Sequence, residues 1–306
     1  PLAYRQRWFA PRSVDSLAAL RAARPEARLI AGATDIGLWV NKQFRALPEL
    51  ISVAEAPDLA RIDDGPEGLH IGAGASLEAA WAALAARWPQ LQELWLRFAS
   101  PPVRHAGTMG GNLANGSPIG DSAPVLMALD AQVQLQRLAQ VRTLPLADFY
   151  TGYMSNRLER GEFLRGVLVP PQPAGRAMRA YKVSKRFDSD ISALCAGLAV
   201  DLDGDRVVSA RLTFGGMAAT VKRAARAEAA LAGRPWDETA LREAQAALAQ
   251  DFAPLTDLRA SAGYRLQVAQ NLLRRFWLET RTQSPLSESD TRVWSRAPVA
   301  SQEKTA

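Results

Sequence analysis

The chain has 306 residues, 48% apolar and 22% charged, with a formal net charge of +6. That length allows about two domains with sizeable cores, and the composition is that of an ordinary globular protein. It excludes a bilayer-spanning helix, since no apolar run nears the roughly 20 residues needed, and it excludes a basic nucleic-acid stripe, since the arginines are scattered among acids.

In chain order, "SVDSLAALRAARP" predicts a helix with Ser13 as N-cap and Pro25 beyond its end. "ARLIAGATDIG" predicts a short strand and a Gly turn, and "LISV" another strand. "GLHIGAGASLEAAWAALAARWP" reads as strand, tight turn and helix ending at Pro89. The run "TMGGNLANGSPIGD", Thr108 to Asp121, reads as neither helix nor regular strand because of its four glycines and its proline. "SAPVLMALDAQVQLQ" begins as a helix and passes into a strand; "EFLRGVLVP" is a strand closed by Pro170. Alternating elements of this kind argue for α/β or α+β units.

"PPQPAG", from Pro170 to Gly175, reads as a linker. Beyond it "MRAYKVSKR" and "SALCAGLAVDLDGDRVVSARLTFGGM" predict strands, with "DGDR" as a hairpin turn. Three helices follow, the last placing Leu266, Ala269, Leu273 and Trp277 on one face. From Arg281 the chain is polar and aperiodic and predicts a disordered tail.

The single cysteine, Cys195, lies in an apolar run and reads as a buried thiol of a reducing compartment. His70 and His105 lack ligand spacing, so no metal site is expected. The N-terminus carries no visible signal peptide, and a cytoplasmic location is expected. Pro1 in place of Met suggests a processed chain or a piece of a longer one.

Gly72-Ala73-Gly74 follows a strand and opens a helix, but Leu77 stands where the dinucleotide fingerprint needs its third glycine. "GSPIG" lacks the spacing of a nucleophile elbow. Two Gly-containing loops remain, residues 29–37 and the run from Thr108. Each reads alone as a plain turn or a phosphate site. Facing each other, they could hold a pyrophosphate through backbone donors.

"LIAGATDIG", "RHAGTMGGNLANGSPIGDSAPVLMALDA", "FYTGY" and "AYKVSKRFDSDIS", in that order, resemble the FAD-binding module of the xanthine dehydrogenase family of molybdenum hydroxylases, of the bacterial small-subunit type. The resemblance implies an α+β fold: a two-subdomain FAD-binding unit of the vanillyl-alcohol-oxidase-like type (residues 1–56 and 57–172), then an α+β C-terminal domain (176–280), a sheet covered by helices, and a tail (281–306). It implies FAD contacts at Leu29, Ile30, Ala31, Gly32, Ala33, Thr34 and Asp35, and at Thr108, Gly110, Gly111 and Asn112. It further implies Asp121 at the adenosine end, Leu164 lining the site, and Phe98 and Lys182 beside the flavin as catalytic residues. Read from the residues alone, Phe98 is equally a core side chain and Lys182 an exposed strand position.

Ala33 stands where the family often has Asn, and Met154 where dehydrogenases commonly carry Arg. Tyr153, Asp188 and Asp190 are candidate contacts for NAD as co-substrate. With one cysteine the chain cannot hold iron–sulfur clusters, each of which takes a four-cysteine set. Molybdopterin and [2Fe-2S] centres are therefore expected elsewhere, in iron–sulfur domains and a molybdopterin-binding subunit. The function implied is electron transfer from purine oxidation through FAD to NAD+. The alternatives are the flavoprotein of a carbon monoxide or aldehyde-type dehydrogenase, or a docking module that has lost flavin.

Overall fold

In the computed structural model, which describes residues 6–291, the chain opens with β1 (Arg7–Phe9) and α1 (Val14–Ala23). Ser13 caps α1 as expected: its Oγ accepts the Ser16 N–H at 3.1 Å, and the Ser16 hydroxyl accepts the Ser13 N–H in return. β2 (Arg28–Ile30), α2 (Ile36–Asn41) and β3 (Glu49–Ser52) follow. The strands are separated by helices and pair in parallel, in the order β1-β3-β2.

A second layer begins with β4 (Ile62–Gly65), β5 (Gly68–Gly72) and α3 (Leu77–Arg87). Ser76 caps α3, and Leu77 at the missing glycine position is buried in the core. Next come α4 (Gln92–Arg97), α5 (Pro101–Ala106), α6 (Met109–Asn115) and α7 (Ser122–Ala128). The strands β6 (Gln132–Arg137), β7 (Gln140–Pro145), the small hairpin β8 (Tyr150–Gly152) with β9 (Ser155–Asn156), and β10 (Phe163–Val169) complete it. The resulting five-stranded sheet is antiparallel, ordered β4-β5-β10-β6-β7.

The third sheet holds β11 (Arg176–Val183), β12 (Leu194–Asp203), β13 (Arg206–Gly215) and β14 (Lys222–Arg223), antiparallel and in that order. Gly204 takes a left-handed φ of 58° in the turn between β12 and β13, the role the "DGDR" reading assigns it. α8 (Ala225–Leu231), α9 (Glu238–Asp251) and α10 (Ala262–Thr280) pack on this sheet. On α10, Ala269 and Leu273 are buried, with Leu266 and Trp277 partly so. The short helix α11 (Glu288–Thr291) lies within the stretch expected to be unstructured, and residues 292–306 lie outside the described residues.

The run from Thr108 corrects the sequence reading, because half of it is α6. Thr108 Oγ1 accepts the Gly111 N–H at 3.1 Å, and Gly116 ends the helix at a φ of 65°. Its last carbonyls are tied down by Tyr150 Oη on Leu113 and Asn156 Nδ2 on Ala114, at 3.1 and 2.8 Å. Helix propensity is poor here, but fixed ends and tertiary contacts override it. The glycines serve close approach: a Cβ at Gly110 would lie 2.6 Å from the Ala73 carbonyl oxygen.

α7 is buried along its whole length, and after Ser122 its residues are all apolar. It packs on β12 and β13, where Gly197 leaves room for the Pro124 carbonyl and Thr213 Oγ1 donates to that carbonyl at 2.5 Å. The Pro-rich segment after β10 is also pinned. Gln172 Nε2 donates to the Leu129 carbonyl, and Arg176 bridges Asp130 and Asp201 at 2.9 and 2.6 Å.

Candidate functional site

One cavity of about 910 Å3 opens between the parallel sheet and the five-stranded sheet. That volume lies within the range of cofactor sites, roughly 300–1,000 Å3. Its floor is the turn after β2. Here a Cβ on Gly32 would collide with the Ala106 carbonyl at the end of α5, so only glycine lets the two segments touch. The opposite wall is the start of α6, and β8–β9 and β10 close the side.

The structure brings twelve of the expected residues together here: Leu29, Ile30, Ala31, Gly32, Ala33, Thr34 and Asp35; Thr108, Gly110, Gly111 and Asn112; and Leu164. Tyr153 and Met154, at the tip of the β8–β9 hairpin, also line the cavity. Asp188 and Asp190 do not; Asp190 instead closes its own loop, accepting the Arg186 and Ile191 N–H groups at 2.8 and 3.0 Å.

The two walls differ in their donors. The N–H groups of Gly32, Ala33, Thr34 and Asp35 donate to no protein acceptor among the described residues. Consecutive free amides of this kind form an anion-binding concavity. At α6 the amides are engaged: Met109 N–H donates to Ala75 O, Gly110 N–H to Ala73 O and Gly111 N–H to Thr108 Oγ1. The second wall keeps one backbone donor without an acceptor among the described residues, the Thr108 N–H, and adds the side chain of Asn112, whose amide is likewise free of partners among them.

Phe98, Asp121 and Lys182 lie outside the cavity lining. Phe98 caps α4, is 6% exposed and stacks at a tilt on Trp81 with centroids 5.8 Å apart. Asp121 and Lys182 are buried against each other, 2.7 Å apart, and Ser192 Oγ completes the triangle. Cys195 lies beside them, and burial pushes its thiol well above its ordinary value, as suits a structural cysteine.

Sequence reasoning missed the basic rim. Arg21, Arg28 and Arg45 line the cavity, with Arg28 and Arg45 both over the Trp39 ring, 5.1 and 5.0 Å from its centroid. Arg28 directly precedes the recognised loop, and that adjacency was the available signal. The lining acids Glu162 and Glu26 are held by Arg142 and Arg160 respectively. The Arg142 hydrogen bonds keep the Glu162 carboxyl below its ordinary value despite its burial.

The site is therefore a cleft with free amides at its floor and arginines at its rim, fit for the diphosphate of a dinucleotide, and bare Gly32 and Gly110 let its supporting backbone segments touch. A sequence profile described as "FAD binding domain in molybdopterin dehydrogenase" matches residues 3–172, and one described as "CO dehydrogenase flavoprotein C-terminal domain" matches residues 179–280. The chain belongs to the family of FAD-binding flavoprotein modules of molybdopterin dehydrogenases.

Among relatives, the carbon monoxide dehydrogenase medium chain of Afipia carboxidovorans is 32% identical over 269 residues, covering 87% of this chain and 93% of that one. The putative xanthine dehydrogenase FAD-binding subunit of Escherichia coli is 30% identical, covering 84% and 89%. The xanthine dehydrogenase/oxidase of Gallus gallus is 30% identical over 265 residues. The chain spans only about a fifth of the length of that enzyme and of the fungal and insect xanthine dehydrogenases that it also resembles. The solved carbon monoxide dehydrogenase of Hydrogenophaga pseudoflava contains a chain that superposes with a TM-score of 0.82 at 28% identity, covering 89% of this chain and 95% of that one. No helix among the described residues is long and apolar enough to cross a membrane.

Proposed function

We propose that this chain is the electron-output module of a xanthine dehydrogenase-like assembly, taking electrons from iron–sulfur centres of a partner and delivering them as hydride to NAD+ during purine oxidation. The observation that carries the reading is the row of free amides at Gly32–Asp35 facing the Asn112 side chain across one cavity. The amides and Thr34 would hold the diphosphate, while Leu164 and the β8–β9 tip would line the cofactor's length. Bound there, FAD would supply chemistry that both one-electron and hydride partners can use. The chain's own part is to position it and exclude water.

Purified protein, or apo-protein given FAD, is expected to show a flavin spectrum. A folded, colourless chain that refuses FAD would defeat the reading. Stopped-flow reduction by NADH tests the acceptor.

A second reading has one observation in its favour. Met154, 40% exposed at the cavity edge, stands where the resemblance leads one to expect Arg for NAD. It makes this the flavoprotein of a carbon monoxide or aldehyde-type dehydrogenase with another acceptor. Flavin that is bound but inert to NADH would favour it.

A further inference from the structure

The free amides at the floor of the cavity carry no net charge, and on the facing wall the Met109, Gly110, Gly111 and Asn112 backbone amides are already engaged. A dianionic diphosphate entering this cleft needs compensation from elsewhere. The cavity edge supplies cations. Arg28 and Arg45 make no ion pair and no side-chain hydrogen bond among the described residues, and what holds them is the Trp39 ring between β2 and the loop after α2. Arg21 donates to carbonyls only, those of Pro25, Ala27 and Glu162. Burial, and after it the Arg28 charge, hold the Arg21 guanidinium below its ordinary value. The facing carboxylates are Glu26 and Glu162, each with its own arginine, and Asp35.

We propose that Arg28, Trp39 and Arg45 form an electrostatic entry site that captures the cofactor's diphosphate and guides it to the amides of Gly32–Asp35. This rests on the FAD reading above. The guanidinium groups are solvent-facing, so they act mainly on association: lines of force focus into a cleft, and the effect fades with salt. Trp39 keeps both side chains over the opening, so less conformational freedom is lost on capture.

The test is stopped-flow binding of FAD to the apo-protein, followed by flavin fluorescence at low and high salt, with uncharged riboflavin as a second probe. The double variant Arg28→Gln/Arg45→Gln should slow FAD association about tenfold at low salt and should converge with the parent at high salt. Riboflavin association should not change. Arg28→Lys/Arg45→Lys, which keeps the charge, should recover most of the rate. Both positions are exposed, and far-ultraviolet dichroism checks that the variants fold. A Gln variant with the parent's rate and salt dependence overturns the proposal while leaving the FAD reading intact. Equal slowing of FAD and riboflavin overturns it as well, because that marks a steric effect. Parent protein that binds no FAD at any salt overturns both.

Discussion

Lys182 Nζ and Asp121 Oδ2 lie 2.7 Å apart, and the two side chains are only 1% and 4% exposed. The contact spans 61 residues and fastens the start of α7 to β11. Ser192 Oγ donates to Asp121 Oδ1 at 2.6 Å and accepts from Lys182 Nζ at 2.7 Å. The charges are satisfied by one another, in a place where water does not compete.

Asp121→Ala therefore leaves a buried ammonium without its partner. We expect a loss of about 3–5 kcal/mol, read from urea unfolding at neutral pH. Asp121→Leu/Lys182→Met, which removes both charges, should regain most of it. If Asp121→Ala unfolds like the parent, the pair is not the strut its burial suggests. Flavin content of a folded Asp121 variant separately tests whether the residue also serves the adenosine end.

Gly32→Ala should remove flavin binding at the cavity while the C-terminal sheet stays intact. The new Cβ meets the Ala106 carbonyl, a backbone atom that cannot rotate away. A shift of the loop would cost about 1–3 kcal/mol and would displace the free amides. Visible absorbance after reconstitution and a thermal melt check both halves. Flavin retained at the parent's level would mean that the loop yields more easily than the packing indicates.

Ala33 sits at a φ of 57°, a left-handed backbone that costs an alanine about 1 kcal/mol. Asparagine tolerates this region well, which gives a physical reason for its presence at this position in the resembling family. Ala33→Asn should raise stability by about 0.5 kcal/mol, seen as a higher melting temperature. A fall in melting temperature would count against this backbone geometry.

Asp257 sets an acid limit. Burial alone would raise its carboxyl, but the Arg259 and Ala260 N–H groups and the Arg265 guanidinium outweigh that and hold it at about 2, against an ordinary 3.8. A depressed carboxyl favours the folded state above its ordinary value, and that contribution fades as pH falls from about 4 to 2. Asp257→Asn should be less stable at neutral pH and should lose less between pH 4 and 2 by urea titration. Parallel curves for variant and parent would reject the assignment.

The legible parts of the chain were those where local chemistry and tertiary need agree. The capped helix at Ser13, the turn at Gly204 and the apolar face of α10 follow from local rules. α6 did not, because what makes Met109–Asn115 helical is remote: the Ala73 backbone that needs a bare Gly110, and the β8–β9 hairpin that ties its end. The cavity-lining residues within 29–35 and 108–112 were legible as short motifs. The basic edge was not, since Arg28 and Arg45 lie 17 positions apart and meet only over Trp39.

The position of α7 has a mechanical consequence. A helix with no solvent face, shared by the sheet before the Pro-rich segment and the sheet after it, cannot act as an axle. Severing the chain near residue 172 would hand α7 to one fragment and its cover to the other, so neither piece should dissolve well alone. Strain applied at the C-terminal helices should reach the cleft between the first two sheets as movement of a single solid body.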